Sequence, residues 1–176
     1  MSIPPIETER LFLKPFTLQH SSFIVELMNT EGWIKYIGDR NIKTIRQAAD
    51  YLENGPIKSY VDNGFGLSLV ELKAPAKPIG MCGLIKRDYL EHLDIGFAFL
   101  PAYTGQGYAY EVARKTIEHG FNQLDQQQIL AITLPSNAAS IKLLEKLGFR
   151  YGKTIVSKDS MEELFLFAVD KENFIG

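Results

Sequence analysis

In the stretch HLDIGFAFL, residues 92–100, one acidic side chain is set among apolar ones in a way that could do chemistry. Strand alternation sends Leu93, Ile95, Phe97 and Phe99 to one face and His92, Asp94, Gly96 and Ala98 to the other. The second face is small along Gly96 and Ala98, which leaves room for a ligand, and the Asp94 carboxylate stands at its edge. A carboxylate so placed can take a proton as a general base. At its ordinary pKa of ~4 it is a weak one, so burial or a water relay has to assist it. His92, on the same face, is a second candidate base, and a solvent-facing Asp94 that only keeps the strand in register is the plain alternative.

The chain continues as LPAYTGQGYAYE, residues 100–111, where Gly105 and Gly107 flank Gln106 immediately before a helix. The first N–H groups of a helix have no intrahelical partner and lie at the positive end of its dipole. Without Cβ atoms the glycines let a ligand approach the backbone, which suits phosphate oxygens. A plain helix N-cap with glycines for tight turning is the competing account. A dinucleotide loop wants a further Gly or Ala where Tyr110 stands, and a P-loop wants a Gly-Lys-Ser/Thr ending that GQGYAYE lacks.

These residues need elements to position them. RLFLKPF reads as a first strand, followed by a helix from about Thr17 to Met28 with Phe23, Ile24 and Leu27 inward. A short helical or turn piece carries Trp33, Tyr36 and Ile37. A further helix starts at Thr44, a plausible N-cap, and is broken by Gly55 and Pro56. Three strands follow, Phe65–Leu72, Pro78–Arg87 and His92–Leu100, whose short connections suit an antiparallel meander. Ala109, Val112, Ala113, Thr116, Ile117, Gly120, Phe121 and Leu124 then follow the helical i, i+3, i+4 template, with His119 falling on the solvent side. A buried strand QILAITL precedes the helix SNAASIKLLEKLGF, capped by Ser136 or Asn137 and stopped by Gly148. Strands near Phe149–Ser157 and Met161–Val169 close a mixed α/β domain spanning residues 1–176.

Composition narrows the function. The 176 residues suit one domain, and 45% hydrophobic with 23% charged residues is ordinary for a globular protein. A net charge of −2 argues against a nucleic-acid partner. The single Cys82, in the apolar run PIGMCGLI, excludes an intrachain disulfide and reads as a small core residue. No apolar run approaches the ~20 residues of a membrane span, and the N-terminus lacks a signal-peptide h-region, so a cytoplasmic protein is expected. No metal-ligand spacing is present, and His20 has no partner.

DIGFAFLPAYTGQGYAYE resembles the acyl-CoA-binding motif of the GNAT superfamily of N-acetyltransferases, Arg/Gln-x-x-Gly-x-Gly/Ala between a strand and a long helix. Gly107 and Ala109 match its last fixed positions, while Thr104 stands where Arg or Gln is usual, a departure shared with the ribosomal-protein N-acetyltransferase branch. SNAASIKLLEKLGF resembles the family's second motif through Asn137, Ser140 and the ending Gly148-Phe149, and the likeness covers nearly the whole chain. It implies a mostly antiparallel splayed sheet flanked by helices, with acetyl-CoA in a V-shaped gap between the strand His92–Leu100 and the strand Gln128–Leu134. Phe99 and Leu100 would pair with the pantetheine arm through their backbone, Gly105, Gln106, Gly107, Tyr108 and Ala109 would hold the pyrophosphate, and Asn137 and Ser140 would flank the arm.

The same resemblance implies that Asp94 stands where several GNAT enzymes have an acidic general base, and that a backbone N–H near Phe99 would serve the oxyanion. The tyrosine that protonates the departing thiolate in many relatives is replaced by Leu144, leaving Ser140 as the candidate acid or as a coenzyme contact. Glu111 reads as a helix-dipole partner. Trp33 and Tyr36 would wall an acceptor pocket or pack the core. The acceptor would be a small-molecule or peptide amine, and a homodimer is compatible with the family. A catalytically silent acyl-CoA-binding module and a nucleotide-binding protein are the alternatives from other classes.

Overall fold

The computed structural model describes residues 3–158 and 160–175. The strands are β1 (Ile6–Glu7), β2 (Leu11–Pro15), β3 (Leu67–Leu72), β4 (Lys77–Ile85), β5 (Asp94–Phe99), β6 (Gln128–Thr133), β7 (Arg150–Val156) and β8 (Glu163–Asp170). They form one 8-stranded sheet in the order β1-β2-β3-β4-β5-β6-β8-β7. The expected meander is present, since β3, β4 and β5 pair antiparallel in sequence. Two-residue β1 carries no alternation long enough to read, and it forms by pairing Ile6 and Glu7 with Leu13 and Phe12.

Helices α1 (Ser21–Met28), α2 (Glu31–Tyr36), α3 (Ile45–Leu52) and α4 (Lys58–Asn63) lie between β2 and β3. Thr44 caps α3 in a capping box with Gln47, as its type and position imply. The predicted break at Gly55 and Pro56 does not occur. Glu53–Ile57 form a π-helical turn that joins α3 to α4, with the Lys58 N–H reaching back to Glu53. The widened turn accommodates a proline that an α-helical interior would reject. Helix α4 ends at Gly64, whose φ of +78° supplies the left-handed cap.

The long helix α5 (Tyr108–Asn122) and helix α6 (Ala138–Lys146) complete the fold. Val112, Ala113, Ile117 and Phe121 of α5 join Leu144 of α6 and Leu147 in one core cluster with Val70, Cys82, Leu93 and Ile95. Phe23, Ile24, Leu27, Trp33, Ala48 and Leu52 form a second cluster with Leu69 and Met81. Leu69 and Val70 are sequence neighbours in one strand, as are Met81 and Cys82 in another, so the clusters occupy opposite faces of the sheet. Each fully buried Leu or Ile contributes about 1.5–3 kcal/mol, which fixes the sheet between its two helix layers.

Gly83 in β4 is a tight point. A Cβ there would stand 2.3 Å from the Gly66 carbonyl oxygen and 2.7 Å from Leu67 Cα, both backbone atoms with no rotamer to yield. Gly83→Ala is expected to destabilise the fold by about 1–3 kcal/mol, the usual range for overpacking. A denaturant melt showing no loss would contradict this packing.

Candidate active site

Strands β5 and β6 run parallel but share a single register pair, Asp94 with Leu130, beside the Leu130 N–H bond to the Leu93 carbonyl at 2.9 Å. Beyond it β5 stays with β4 as far as Phe99, while β6 stays with β8 as far as Thr133. The two strands therefore separate into a gap that is closed at Asp94 and open towards their carboxyl ends. Main-chain alternation decides which groups line it. The Leu100 N–H donates to the Ile79 carbonyl of β4 at 2.9 Å, and its own carbonyl accepts from Tyr103 N–H at 2.9 Å. Phe99, one residue earlier, turns its N–H and C=O the other way, into the gap, and so does Phe97. Of the Phe99–Leu100 pair, Phe99 alone keeps main-chain groups directed at a ligand in the gap.

The loop after β5 has the bare backbone its sequence implies. Gly105 and Gly107 have φ of +72° and +82°, a left-handed region that favours glycine. Gly107 is the N-cap of α5, no side chain caps the helix, and the first helical bond runs from Glu111 N–H to the Gly107 carbonyl at 3.0 Å. The N–H groups of Tyr108, Ala109 and Tyr110 are thus the orphan donors of the first turn. Gln106 turns its side-chain amide back onto the Ala102 carbonyl at 2.7 Å, so its contribution to an anion would come from the main chain. The two glycines differ in surroundings. A Cβ on Gly105 would meet nothing within 4 Å, whereas one on Gly107 would stand 3.3 Å from Arg10 Nη2.

At the closed end, Asp94 is 1% exposed. Both its oxygens accept from Arg87 Nε, at 3.0 and 3.1 Å, and the Arg87 side chain is 27% exposed. Burial pushes the Asp94 carboxyl above the usual carboxylate range, and the Arg87 guanidinium offsets this only in part. Arg87 is itself pulled down by burial, but the Asp94 charge and Tyr89 outweigh that and keep it cationic. The hydroxyl of Tyr51 on α3 is raised by burial, against the charges of Arg40 and Arg87.

The space beside Gly96 is not free for a ligand. A Cβ there would lie 2.9 Å from Ile85 Cδ1 and 3.5 Å from Leu67 Cδ2, because side chains of β4 and β3 fold over the small strand face. His92 precedes β5 and is outside the ladder.

Across the gap, Asn137 is the N-cap of α6 and its Oδ1 accepts from the Ser140 N–H at 3.1 Å, which settles the capping residue in favour of Asn137. Ser140 is half-buried in the first turn of α6. Leu144, 1% exposed, belongs to the core and supplies no proton. Trp33 is a core residue, while Tyr36 is half-buried. His119 is half-buried, not fully solvated, since it lies one helical turn from buried Thr116, and burial lowers its pKa. Cys82 is buried, with its thiol pushed up to about 12, as fits an inert core residue.

Sequence reasoning passed over Arg87 and Arg10. A carboxylate that must be buried needs a cationic partner, and the neighbouring turn offered one. Glu111 is also more than a dipole partner. Its Oε2 accepts from Arg10 Nε at 2.7 Å, and its Oε1 accepts from the Thr8 hydroxyl at 2.6 Å and the Arg10 N–H at 2.8 Å. Burial pulls the Glu111 carboxyl upward, but these bonds and the Arg10 charge outweigh it and hold the group below the usual range. Among the described residues no three His, Cys, Asp or Glu side chains gather as metal ligands would, and no helix is long and apolar enough to cross a membrane.

Residues 10–150 match the family model of the acetyltransferase (GNAT) domain. The uncharacterized N-acetyltransferase YoaA of Bacillus subtilis is 28% identical over 149 residues, covering 84% of this chain and 83% of YoaA. The uncharacterized protein YkkB of the same organism is 36% identical over 98 residues, 53% of this chain and 57% of YkkB. The crystal structure of the ribosomal-protein-S5-alanine acetyltransferase from Vibrio fischeri superposes with a TM-score of 0.79 at 18% identity, covering 98% of this chain and 100% of that one, a likeness of fold. The strand divergence, the bare loop opening α5 and the matched family model together make this chain a member of the GNAT family of N-acetyltransferases.

Proposed function

We propose that the chain transfers the acetyl group of acetyl-CoA to a primary amine, a protein N-terminus or a small amine, by direct attack with donor and acceptor bound together. The observation that carries this reading is the gap between β5 and β6 opening onto the uncapped first turn of α5. The residues fit the coenzyme. Phe99 offers an N–H and a C=O to the pantetheine arm, and the N–H groups from Gly105 to Ala109 suit the pyrophosphate. Asn137 and Ser140 stand at the head of α6, following β6, and flank the arm.

In the reaction the amine nitrogen forms a bond to the thioester carbonyl carbon, the carbon–sulfur bond breaks, and the nitrogen loses a proton while the thiolate takes one up. Asp94 is the terminal proton acceptor. At 1% exposure it is reached through water and not by the amine itself. Its raised pKa brings it closer to the working pH of a base. A main-chain N–H near Phe99 faces the developing oxyanion. Ser140 contacts the coenzyme and is the nearest hydroxyl donor for the thiolate, since Leu144 has none.

The fold shared with an S5-alanine acetyltransferase supports peptide N-termini as the first acceptors to try. A panel of N-terminal peptides, amino acids and polyamines with acetyl-CoA should yield free thiol and an acetylated product by mass spectrometry for at least one class. Acetyl-CoA failing to bind in calorimetry would reject the reading.

A further inference from the structure

The glycine loop has two left-handed residues and no side-chain cap on the helix it opens, and its internal hydrogen bonds, such as that of the Gln106 amide to the Ala102 carbonyl, lie on the side before Gly107. Beside the packing of Tyr108 on the core, a long-range polar tie comes from Arg10, in the turn between β1 and β2. Nη1 donates to the Gln106 carbonyl at 3.1 Å, the guanidinium carbon lies 4.3 Å from the centre of the Tyr108 ring, and Nη2 covers Gly107. Nε and the main-chain N–H are both held by Glu111, which Thr8 also engages. One side chain thereby grips residues 106, 107, 108 and 111, spanning the segment whose N–H groups would meet the pyrophosphate.

From this clamp we infer that Arg10 is a positioning residue for coenzyme binding, an inference that rests on the acetyl-CoA reading of the loop. Arg10 orders the Gly105–Ala109 backbone before the coenzyme arrives, so that binding does not have to fix a flexible loop. Its charge is paired with the Glu111 carboxylate at 2.7 Å, so the clamp acts by holding the turn in shape. The guanidinium holds the Gln106 carbonyl and the Glu111 carboxylate in one fixed geometry through its rigid fork, which the rotatable donors of a lysine ammonium do not impose.

The test compares acetyl-CoA with acetylpantetheine, a thioester donor without the phosphates, on the wild type and on Arg10→Ala and Arg10→Lys. Both substitutions are expected to raise the acetyl-CoA Kd and KM about tenfold. The kcat at saturating acetyl-CoA and the KM for acetylpantetheine should stay within about twofold. The lysine variant keeps the charge, and a thermal melt checks its fold. Unchanged acetyl-CoA affinity in the folded lysine variant would overturn the inference, and so would equal losses on both donors. A wild-type chain that does not bind acetyl-CoA removes the coenzyme reading itself, an outcome visible before any variant is compared.

Discussion

Asp94→Asn is expected to lower kcat by about a hundredfold or more, the usual span of a lost general base, while the acetyl-CoA Kd changes little. The amide keeps the size of the carboxylate and an oxygen for Arg87 Nε, so the closed end of the gap retains its geometry. What it loses is the ability to take a proton. In the wild type, activity should rise with pH as Asp94 ionises, and because burial raises this group above its ordinary 3.8 the rise lies at higher pH than a solvated carboxylate would give. The asparagine variant should lack that limb, and a pH–rate profile identical to wild type would reject the assignment. Stability moves the other way. A carboxyl whose folded pKa is raised is favoured in its protonated form, so its contribution is fully present below 3.8 and is lost as pH rises through the folded value. The melting temperature of the wild type relative to Asp94→Asn should therefore fall as pH rises across that window.

What the sequence disclosed and what it concealed divide along chain separation. The turn glycines, the amphipathic face of α5, the Thr44 cap and the meander are local signals, each within a few residues of its cause. The Gly105–Gly107 loop was legible because left-handed backbone before a helix asks for glycine there. The Arg10–Glu111 pair was not, since 101 residues separate the partners and nothing in either segment points to the other. The empty space expected beside Gly96 failed for a related reason. Alternation says which residues share a strand face, but Ile85 and Leu67 arrive from neighbouring strands whose register is set by the whole sheet. Gly55 and Pro56 misled because breaker rules describe the α-helix, and the chain widened into a π turn at that point. In the site itself, residue types gave the candidates, while burial raised the Asp94 pKa against the pull of Arg87 and hid the carboxylate from direct contact.

Gly107→Val is expected to weaken acetyl-CoA binding roughly a hundredfold, the second large effect. The position has φ of +82°, where a β-branched residue costs about 1–3 kcal/mol of backbone strain. The new side chain also stands against Arg10 Nη2, at 3.3 Å from the Cβ alone, so the guanidinium has to shift and its hold on Gln106 loosens. If two charge-assisted N–H bonds to the pyrophosphate are then lost, at about 1.5–3 kcal/mol each, the affinity falls by that factor or more. Gly105→Ala is the informative control, because its φ of +72° gives similar strain while its Cβ meets no protein atom within 4 Å. Strain alone would make Gly105→Ala and Gly107→Ala equivalent in every background. Coupling through the clamp predicts that Gly107→Ala and Arg10→Ala are non-additive in acetyl-CoA affinity, since the methyl group presses on Arg10 Nη2 at 3.3 Å and the guanidinium has to shift, whereas Gly105→Ala and Arg10→Ala add. Additivity in both cycles would mean that Gly107 serves only its own backbone conformation.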